Sequence, residues 1–199
     1  MKTLNAQYYS SNAKSFYDAT VDIDMTALYD EFLPLIKNNG LILDAGCGAG
    51  RDSKFFIEHG YEICAFDASK ELASLASKLI KQPVQQALFQ TFESSIKFDG
   101  IWACASLLHV PEDELSNVIS KFVSLLKESG VFYCSFKLGR EEVIRNGRVF
   151  TNVDEVSFGQ YITGKPIAIV KQWRTGDLRE GRESEQWLNV ILRKDVINE

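Results

Sequence analysis

The sequence predicts an α/β fold, a mostly parallel sheet with helices on both faces, and three observations carry that reading. Short apolar runs alternate with stretches of helical period along most of the chain. A glycine-rich turn, Gly46-Cys47-Gly48-Ala49-Gly50, follows the first apolar run, where a strand must feed a helix. Two final apolar runs, 167–173 and 187–193, are joined too closely for a crossover helix, which predicts an antiparallel ending.

Taken in order, Leu41-Ile42-Leu43 forms a short buried strand ending at Asp44, and 51–59 forms a helix with Gly60 as its C-cap. The second strand covers 61–66 and ends at Asp67. Ser69 caps the next helix, whose Leu72, Leu75, Ala76, Leu79 and Ile80 fall at helical spacing before Pro83. A third strand covers 84–88, and a fourth, apolar enough to be central, covers 100–105. Pro111 opens a helix whose first turn carries Glu112, Asp113 and Glu114 at the positive end of its dipole. Its buried stripe is Leu115, Val118, Ile119, Phe122 and Leu126; Ser129-Gly130 ends it, and 131–136 is the fifth strand. A helix is expected over 153–162, and 174–186 is expected to be a hairpin loop between the last two strands.

At 199 residues the chain fits one domain with one sizeable core, which we divide into an N-terminal helical lid or cap over 1–38 and a sheet core over 39–199. A net charge of -5 argues against a protein that coats nucleic acid or an anionic membrane. No apolar run approaches the ~20 residues that span a bilayer, and residues 1–10 are too polar for a signal peptide. Cys47, Cys64, Cys104 and Cys134 are scattered among apolar segments, as expected of small buried side chains in a reducing cytoplasm. With two histidines and no C-x-x-C pair, no metal site is expected.

The glycines are spaced G-x-G-x-G, whereas a nicotinamide-type turn would place glycine at Arg51. Asp67 at the end of the second strand can accept protons from both hydroxyls of a ribose lying across the sheet's switch point. Asp44 sets another carboxylate near the turn, where it would repel a pyrophosphate and attract an ammonium or a sulfonium.

Leu-Asp-Ala-Gly-Cys-Gly-Ala-Gly at 43–50 closely resembles the first motif of the class I S-adenosylmethionine-dependent methyltransferases. Ala65-Phe66-Asp67-Ala68-Ser69 resembles their second. Phe98-Asp99-Gly100-Ile101-Trp102-Ala103 through Leu107-Leu108-His109-Val110-Pro111 resembles the fourth-strand motif, and Leu125-Leu126-Lys127-Glu128-Ser129-Gly130 resembles the turn before strand five. The resemblance covers roughly 38–138. Gly50-Arg51-Asp52-Ser53 followed by Gly60-Tyr61 is similar, more loosely, to the tellurite-resistance-type members and related small bacterial methyltransferases. It implies a Rossmann-like three-layer αβα sandwich, with a seven-stranded sheet in order 3-2-1-4-5-7-6 and strand 7 antiparallel. It also implies S-adenosylmethionine as cofactor, S-adenosylhomocysteine as product, and contacts at Gly46, Cys47, Gly48, Asp67, Ala68 and the residues after strand four.

From the residues and the resemblance together, the expected cofactor contacts are Asp44, Ala45, Gly46, Cys47, Gly48, Arg51, Asp67, Ala68, Ser69, Phe89, Gln90, Ala105, Ser106 and Tyr17. Phe89-Gln90 stands where many members carry an acidic residue that meets the adenine amino group; the Gln90 amide can pair with adenine and Phe89 can stack on it. No Asn-Pro-Pro-Tyr or Asp-Pro-Pro-Tyr follows strand four and no Pro-Cys pair occurs, so the resemblance does not extend to amino-methylating nucleic-acid enzymes or to pyrimidine-ring methylation.

Methyl transfer from a sulfonium is an in-line displacement, so holding donor and acceptor in line supplies much of the acceleration. A base is needed only where the acceptor must lose a proton. His109 is the candidate base, or else a helix-entry residue that packs over the cofactor. Tyr8, Phe16 and Tyr17 either fold over the cofactor as a lid or pack on the sheet edge. Lys137, Arg140, Arg145, Arg148, Arg174, Arg179 and Arg182 all follow strand five. They either converge on an anionic acceptor, with Lys137 the leading contact, or are solvated loop charge interleaved with Glu141, Glu142, Glu180 and Glu183. Trp173 and Trp187 line a pocket or belong to the core.

The expected activity is therefore methyl transfer to a small molecule by a monomer or weak homodimer, with no nucleic-acid or membrane partner. The competing readings are a non-catalytic S-adenosylmethionine-binding module, a nicotinamide-dependent oxidoreductase, and a nucleic-acid methyltransferase.

Overall fold

The computed structural model of the protein describes residues 2–179, 181, 182 and 184–196. Three short helices come first: α1 (Lys2–Ser11), α2 (Ala13–Thr20) and α3 (Thr26–Phe32), the last running into a single 3-10 turn, Leu33–Leu35. The alternating part follows as β1 (Leu41–Ala45), α4 (Arg51–Glu58), β2 (Glu62–Asp67), α5 (Lys70–Ile80) and the two-residue β3 (Gln85–Gln86). Next come β4 (Phe98–Ala103), a 3-10 turn at Leu107–His109, α6 (Glu112–Leu125) and β5 (Leu126–Lys137). The chain continues through β6 (Glu142–Arg145), β7 (Arg148–Thr151), α7 (Glu155–Ile162), β8 (Ile167–Gly176) and β9 (Gln186–Lys194).

The main sheet runs β3-β2-β1-β4-β5-β9-β8, and β6 pairs with β7 in a separate hairpin. With that hairpin set aside, this is the expected 3-2-1-4-5-7-6 order. β1 to β5 pair in parallel, while β9 is antiparallel to both β5 and β8.

The sheet separates two apolar layers by the two-residue side-chain period of its central strands. Ile101 and Ala103 of β4, with Phe132, Cys134 and Phe136 of β5, face one way against Leu115, Ile119 and Phe122 of α6 and Phe158 of α7. Trp102, Val131 and Tyr133 face the other way, against Tyr29 and Phe32 of α3, Ile36, and Phe56 of α4. Trp102 stacks on Tyr133 with ring centroids 4.0 Å apart. Both layers are fully buried, so α3 belongs to the core, while α1 and α2 lie against α5, and α1 also against β7.

Several boundaries differ from expectation for physical reasons. α6 stops at Leu125 rather than at Ser129-Gly130, because Leu126 already pairs with Phe98 of β4. The residues between form an outward excursion of β5, with Ser129 at a φ of 59° and the next pairing at Gly100 with Val131. The third strand keeps only two of its five expected residues. β4 begins and ends two residues early, and Ala105 beyond it takes a φ of 49°. The β6–β7 hairpin has no counterpart in the sequence reading. Ser69 does cap α5, accepting from the Leu72 amide, and Gly60, at a φ of 85°, ends the turn after α4.

Gly100 shows how tightly the second layer is filled. A Cβ there would lie 2.4 Å from Ile36 Cδ1 and 2.9 Å from Phe32 Cζ. Gly100→Ala should therefore destabilise the protein by about 1–3 kcal/mol through overpacking. Urea unfolding checks this, and an unchanged midpoint contradicts it.

Candidate active site

The site begins at the turn between β1 and α4. Gly46 and Cys47 donate their amides to the Phe66 carbonyl of β2, at 2.9 and 3.0 Å. The Ser106 hydroxyl donates to the Ala45 carbonyl at 2.7 Å. Gly46 has a φ of 76°, and a Cβ there would lie 2.7 Å from Ser106 Cβ, so conformation and space both require glycine. Beyond it, Gly48 donates its amide to Asp67 Oδ2 at 2.9 Å, while Ser69 donates to Asp67 Oδ1 at 2.8 Å. Asp67 is thus the clasp between the turn, the end of β2 and the start of α5. Burial pushes its carboxyl up to about 6, against the opposing pull of the Ser69, Gly48 and Ala68 amides.

Two cavities open on this turn. The smaller, about 100 Å³, is walled by Asp67, Ala68, Ser69, Leu88, Phe89 and Gln90. The larger, about 310 Å³, runs from Cys47 and Arg51 to Lys137, Arg148 and Trp187. Both share Tyr9, Phe16, Gly46, Gly48, Ala105 and His109, so they meet at the glycine turn beneath two aromatic residues of the N-terminal helices.

Of the expected contacts, Gly46, Cys47, Gly48, Arg51, Asp67, Ala68, Ser69, Phe89, Gln90, Ala105 and Ser106 line one or both cavities. Three do not. Tyr17 gives way to Phe16, because the inward face of α2 carries Ala13, Phe16 and Thr20; Tyr17 stands beside the Lys14 ammonium instead. Ala45 is fully buried and meets the site only through its carbonyl. Asp44 lies under the turn, accepting from the Ser53 hydroxyl at 2.6 Å. Burial and the nearby Asp52 push Asp44 up to about 8, which works against the free charge expected there.

The ionised carboxylate of this region is Asp52. It accepts from Tyr29 Oη at 2.5 Å, Arg51 Nε at 2.6 Å and Trp102 Nε1 at 2.8 Å. Burial is the largest single influence and raises its carboxyl. The Arg51 charge and the hydrogen bonds from Arg51, Tyr29 and Trp102 together prevail, and Asp52 is held below the usual carboxylate range. Arg51 also donates to the Thr20 carbonyl at 3.3 Å, fastening the end of α2 to the turn. Phe89 is mostly core, ringed by Phe66 and Phe122, and Gln90 donates to Glu114 at 2.7 Å.

His109 sits where the two cavities join. Its Nδ1 faces the Val149 carbonyl at 2.9 Å, and a carbonyl can only accept, so Nδ1 carries the proton. Nε2 is then the acceptor for Tyr9 Oη at 2.8 Å. Burial, with Arg148 and Lys137 nearby, lowers the imidazole to about 4, so the ring is neutral at pH 7. Tyr9 is the functional candidate absent from the sequence reading. Asn5 places it, pairing with the Val149 amide at 2.7 Å and with its carbonyl at 3.2 Å, which docks α1 on β7.

The basic residues after β5 divide. Lys137, Arg148, Arg179 and Arg182 line the large cavity. Arg140 pairs with Asp154, Arg174 makes a two-pronged pair with Glu155, and Arg145 is exposed beside Glu185. Burial, then Arg179, Arg182 and Arg145, lower Lys137 to about 8 although it pairs with Glu185. Trp187 lines the cavity, and Trp173 packs near Tyr133. Glu180 and Glu183 lie outside the described residues.

Residues 42–130 match the family model described as a methyltransferase domain. A Burkholderia thailandensis 1,6-didemethyltoxoflavin-N1-methyltransferase superposes with a TM-score of 0.81 at 19% identity, covering 98% of this chain and 88% of that one. The fold is the methyltransferase fold. Magnesium protoporphyrin IX methyltransferase from Synechocystis PCC 6803 superposes with a TM-score of 0.76 at 16% identity, covering 98% and 97% of the two chains. A putative methyltransferase of Bacillus subtilis (strain 168), YqeM, is 28% identical over 148 residues, which is 66% of this chain. The chain spans about three fifths of the length of the curated relatives it matches.

The assigned tautomer is directly measurable. Long-range proton–nitrogen spectra should show His109 as the neutral Nδ1–H form from pH 8 down to about 5, since its folded value lies near 4. A ring that titrates near 6.5 would contradict this geometry.

Proposed function

We propose that this chain is an S-adenosylmethionine-dependent methyltransferase acting on a small-molecule acceptor. The observation that carries the reading is the junction of the two cavities at Gly46 and Gly48, with the Asp67 carboxylate at the end of one and a basic, aromatic wall in the other. The residues fit the cofactor. Bare backbone at Gly46 and Gly48 leaves room that a Cβ would fill, and a Cβ at Gly48 would lie 3.2 Å from Phe16 Cε1. Asp67 suits a ribose diol, and the slot beside Leu88, Phe89 and Gln90 suits a flat purine. The amino-acid tail would lie over the turn toward Cys47 and Arg51.

When bound, the cofactor supplies an electrophilic methyl group. The chain's part is to hold the acceptor in line and keep water away, which the apolar roof of Tyr9 and Phe16 serves. Where the acceptor sheds a proton, the hydrogen-bonded Tyr9–His109 pair is positioned to take it, although burial beside Arg148 and Lys137 makes His109 a weak base. The finer assignments belong to the same proposal. The run Gly50-Arg51-Asp52-Ser53, followed by Gly60-Tyr61, supports a kinship with the tellurite-resistance-type methyltransferases and related small bacterial methyltransferases. The cations of the large cavity, Lys137 among them, favour an anionic acceptor. The free thiols of Cys47, Cys64, Cys104 and Cys134 suit the cytoplasm.

Calorimetry with S-adenosylhomocysteine tests the reading. Asp67→Ala should weaken binding by about 2 kcal/mol, roughly thirtyfold. The ligand needs the carboxylate, and the free protein takes up a proton near pH 6, so affinity should fall as pH drops. Between pH 7 and pH 5 the loss should be about tenfold in the native protein and absent in Asp67→Asn. No measurable binding by the native protein overturns the proposal, as does full affinity in Asp67→Ala.

A further inference from the structure

Arg148 opens β7 and is buried, at 7% exposure, yet among the described residues no carboxylate pairs with it. Among the described residues its Nε has no hydrogen-bond partner, and its guanidinium donates through NH1 to Tyr9 Oη at 3.4 Å. The guanidinium is held by rings instead, 4.3 Å from the Tyr8 centroid and 5.0 Å from that of Phe150. Burying an uncompensated charge is costly, and native structures accept it where a ligand completes the pairing.

The neighbouring cations show why Arg148 differs. Arg51 is matched by Asp52, and Arg179 is matched by Asp177 through Nε at 2.8 Å. Glu185 serves three cations at once: it pairs with Lys137, lies 3.4 Å from Arg145 and 3.9 Å from Arg182. Among the described residues that line the large cavity, Arg51, Lys137, Arg148, Arg179 and Arg182 face only Asp24, Asp52 and Asp177, and Arg148 is the cation among them with no ion pair. Burial first, and then neighbouring cations with Arg179 foremost, lower the affinities of Lys137 and Arg182 for their protons. Beside these charges the same cavity carries a largely aromatic stretch of wall, with Tyr9, Phe16, Leu108, Phe150 and Trp187 lining it. Phe150 and Trp187 each hold their ring centroid 5.5 Å from Lys137 Nζ.

We propose that Arg148, seconded by Lys137, is the receptor for a carboxylate carried on a planar aromatic acceptor. The guanidinium fork matches two carboxylate oxygens, whereas the Lys137 ammonium is already paired. The inference rests on reading the large cavity as the acceptor's side of a methyltransferase.

Protein saturated with S-adenosylhomocysteine is titrated with benzoate, benzamide and inorganic phosphate by calorimetry. Benzoate should bind, with benzamide about tenfold weaker and phosphate unable to displace benzoate. Arg148→Met should weaken benzoate by about tenfold or more while S-adenosylhomocysteine affinity stays within about twofold, and Arg148→Lys should recover part of the loss. Equal affinity for benzoate and benzamide in the native protein overturns the inference, even if Arg148→Met fails to fold. So does undiminished benzoate binding in Arg148→Met, and displacement by phosphate overturns the planar acceptor. Failure of the native protein to bind S-adenosylhomocysteine instead overturns the methyltransferase reading.

Discussion

The Asp67 carboxylate is the constraint on which the rest of the site depends. One oxygen takes the Gly48 amide and the other takes the Ser69 amide, so a single buried group joins the glycine turn to the end of β2 and the start of α5. Backbone amides at a turn and a helix start have no other internal partners, and a carboxylate there satisfies both at once. Holding the turn in this way is what leaves bare backbone facing the junction of the two cavities.

Three buried aspartates lie close together, and their surroundings give them different states. Asp52 receives a guanidinium, a phenol and an indole, and keeps its charge. Asp44 receives one hydroxyl and sits buried beside that charge, which makes it the hardest of the three to ionise. Asp67 lies between, on amides alone. The charge that fixes Arg51 against α2 is thus supplied by Asp52, from the first turn of α4, and the strand-end Asp44 serves as a hydrogen-bonded support for Ser53.

Much of this was legible in the sequence because the signals are local. The turn glycines answer to backbone conformation, Ser69 to capping, and the mostly parallel sheet to alternating strand and helix periods, while its strand order followed from the family resemblance. What was not legible depends on contacts between distant segments. Phe16 rather than Tyr17 faces the site in a short α2 whose end is fastened to the turn by Arg51, 31 positions away. Tyr9 reaches His109 only because Asn5 pairs with β7, 144 positions away. The β6–β7 hairpin did carry a local signal: Asn146-Gly147, with φ of 51° and 73°, is a two-residue turn of the kind that joins antiparallel strands. Lys127-Glu128-Ser129-Gly130 misleads in the other direction, since a helix-stopping composition there marks an excursion within β5.

A crystal structure with S-adenosylhomocysteine bound tests the central claim most directly. The account places both ribose hydroxyls within hydrogen-bond distance of Asp67 and the sulfur at the shared mouth of the cavities, near Gly46, Ala105 and His109. A ligand seated elsewhere, or a ribose that leaves Asp67 untouched, would contradict it.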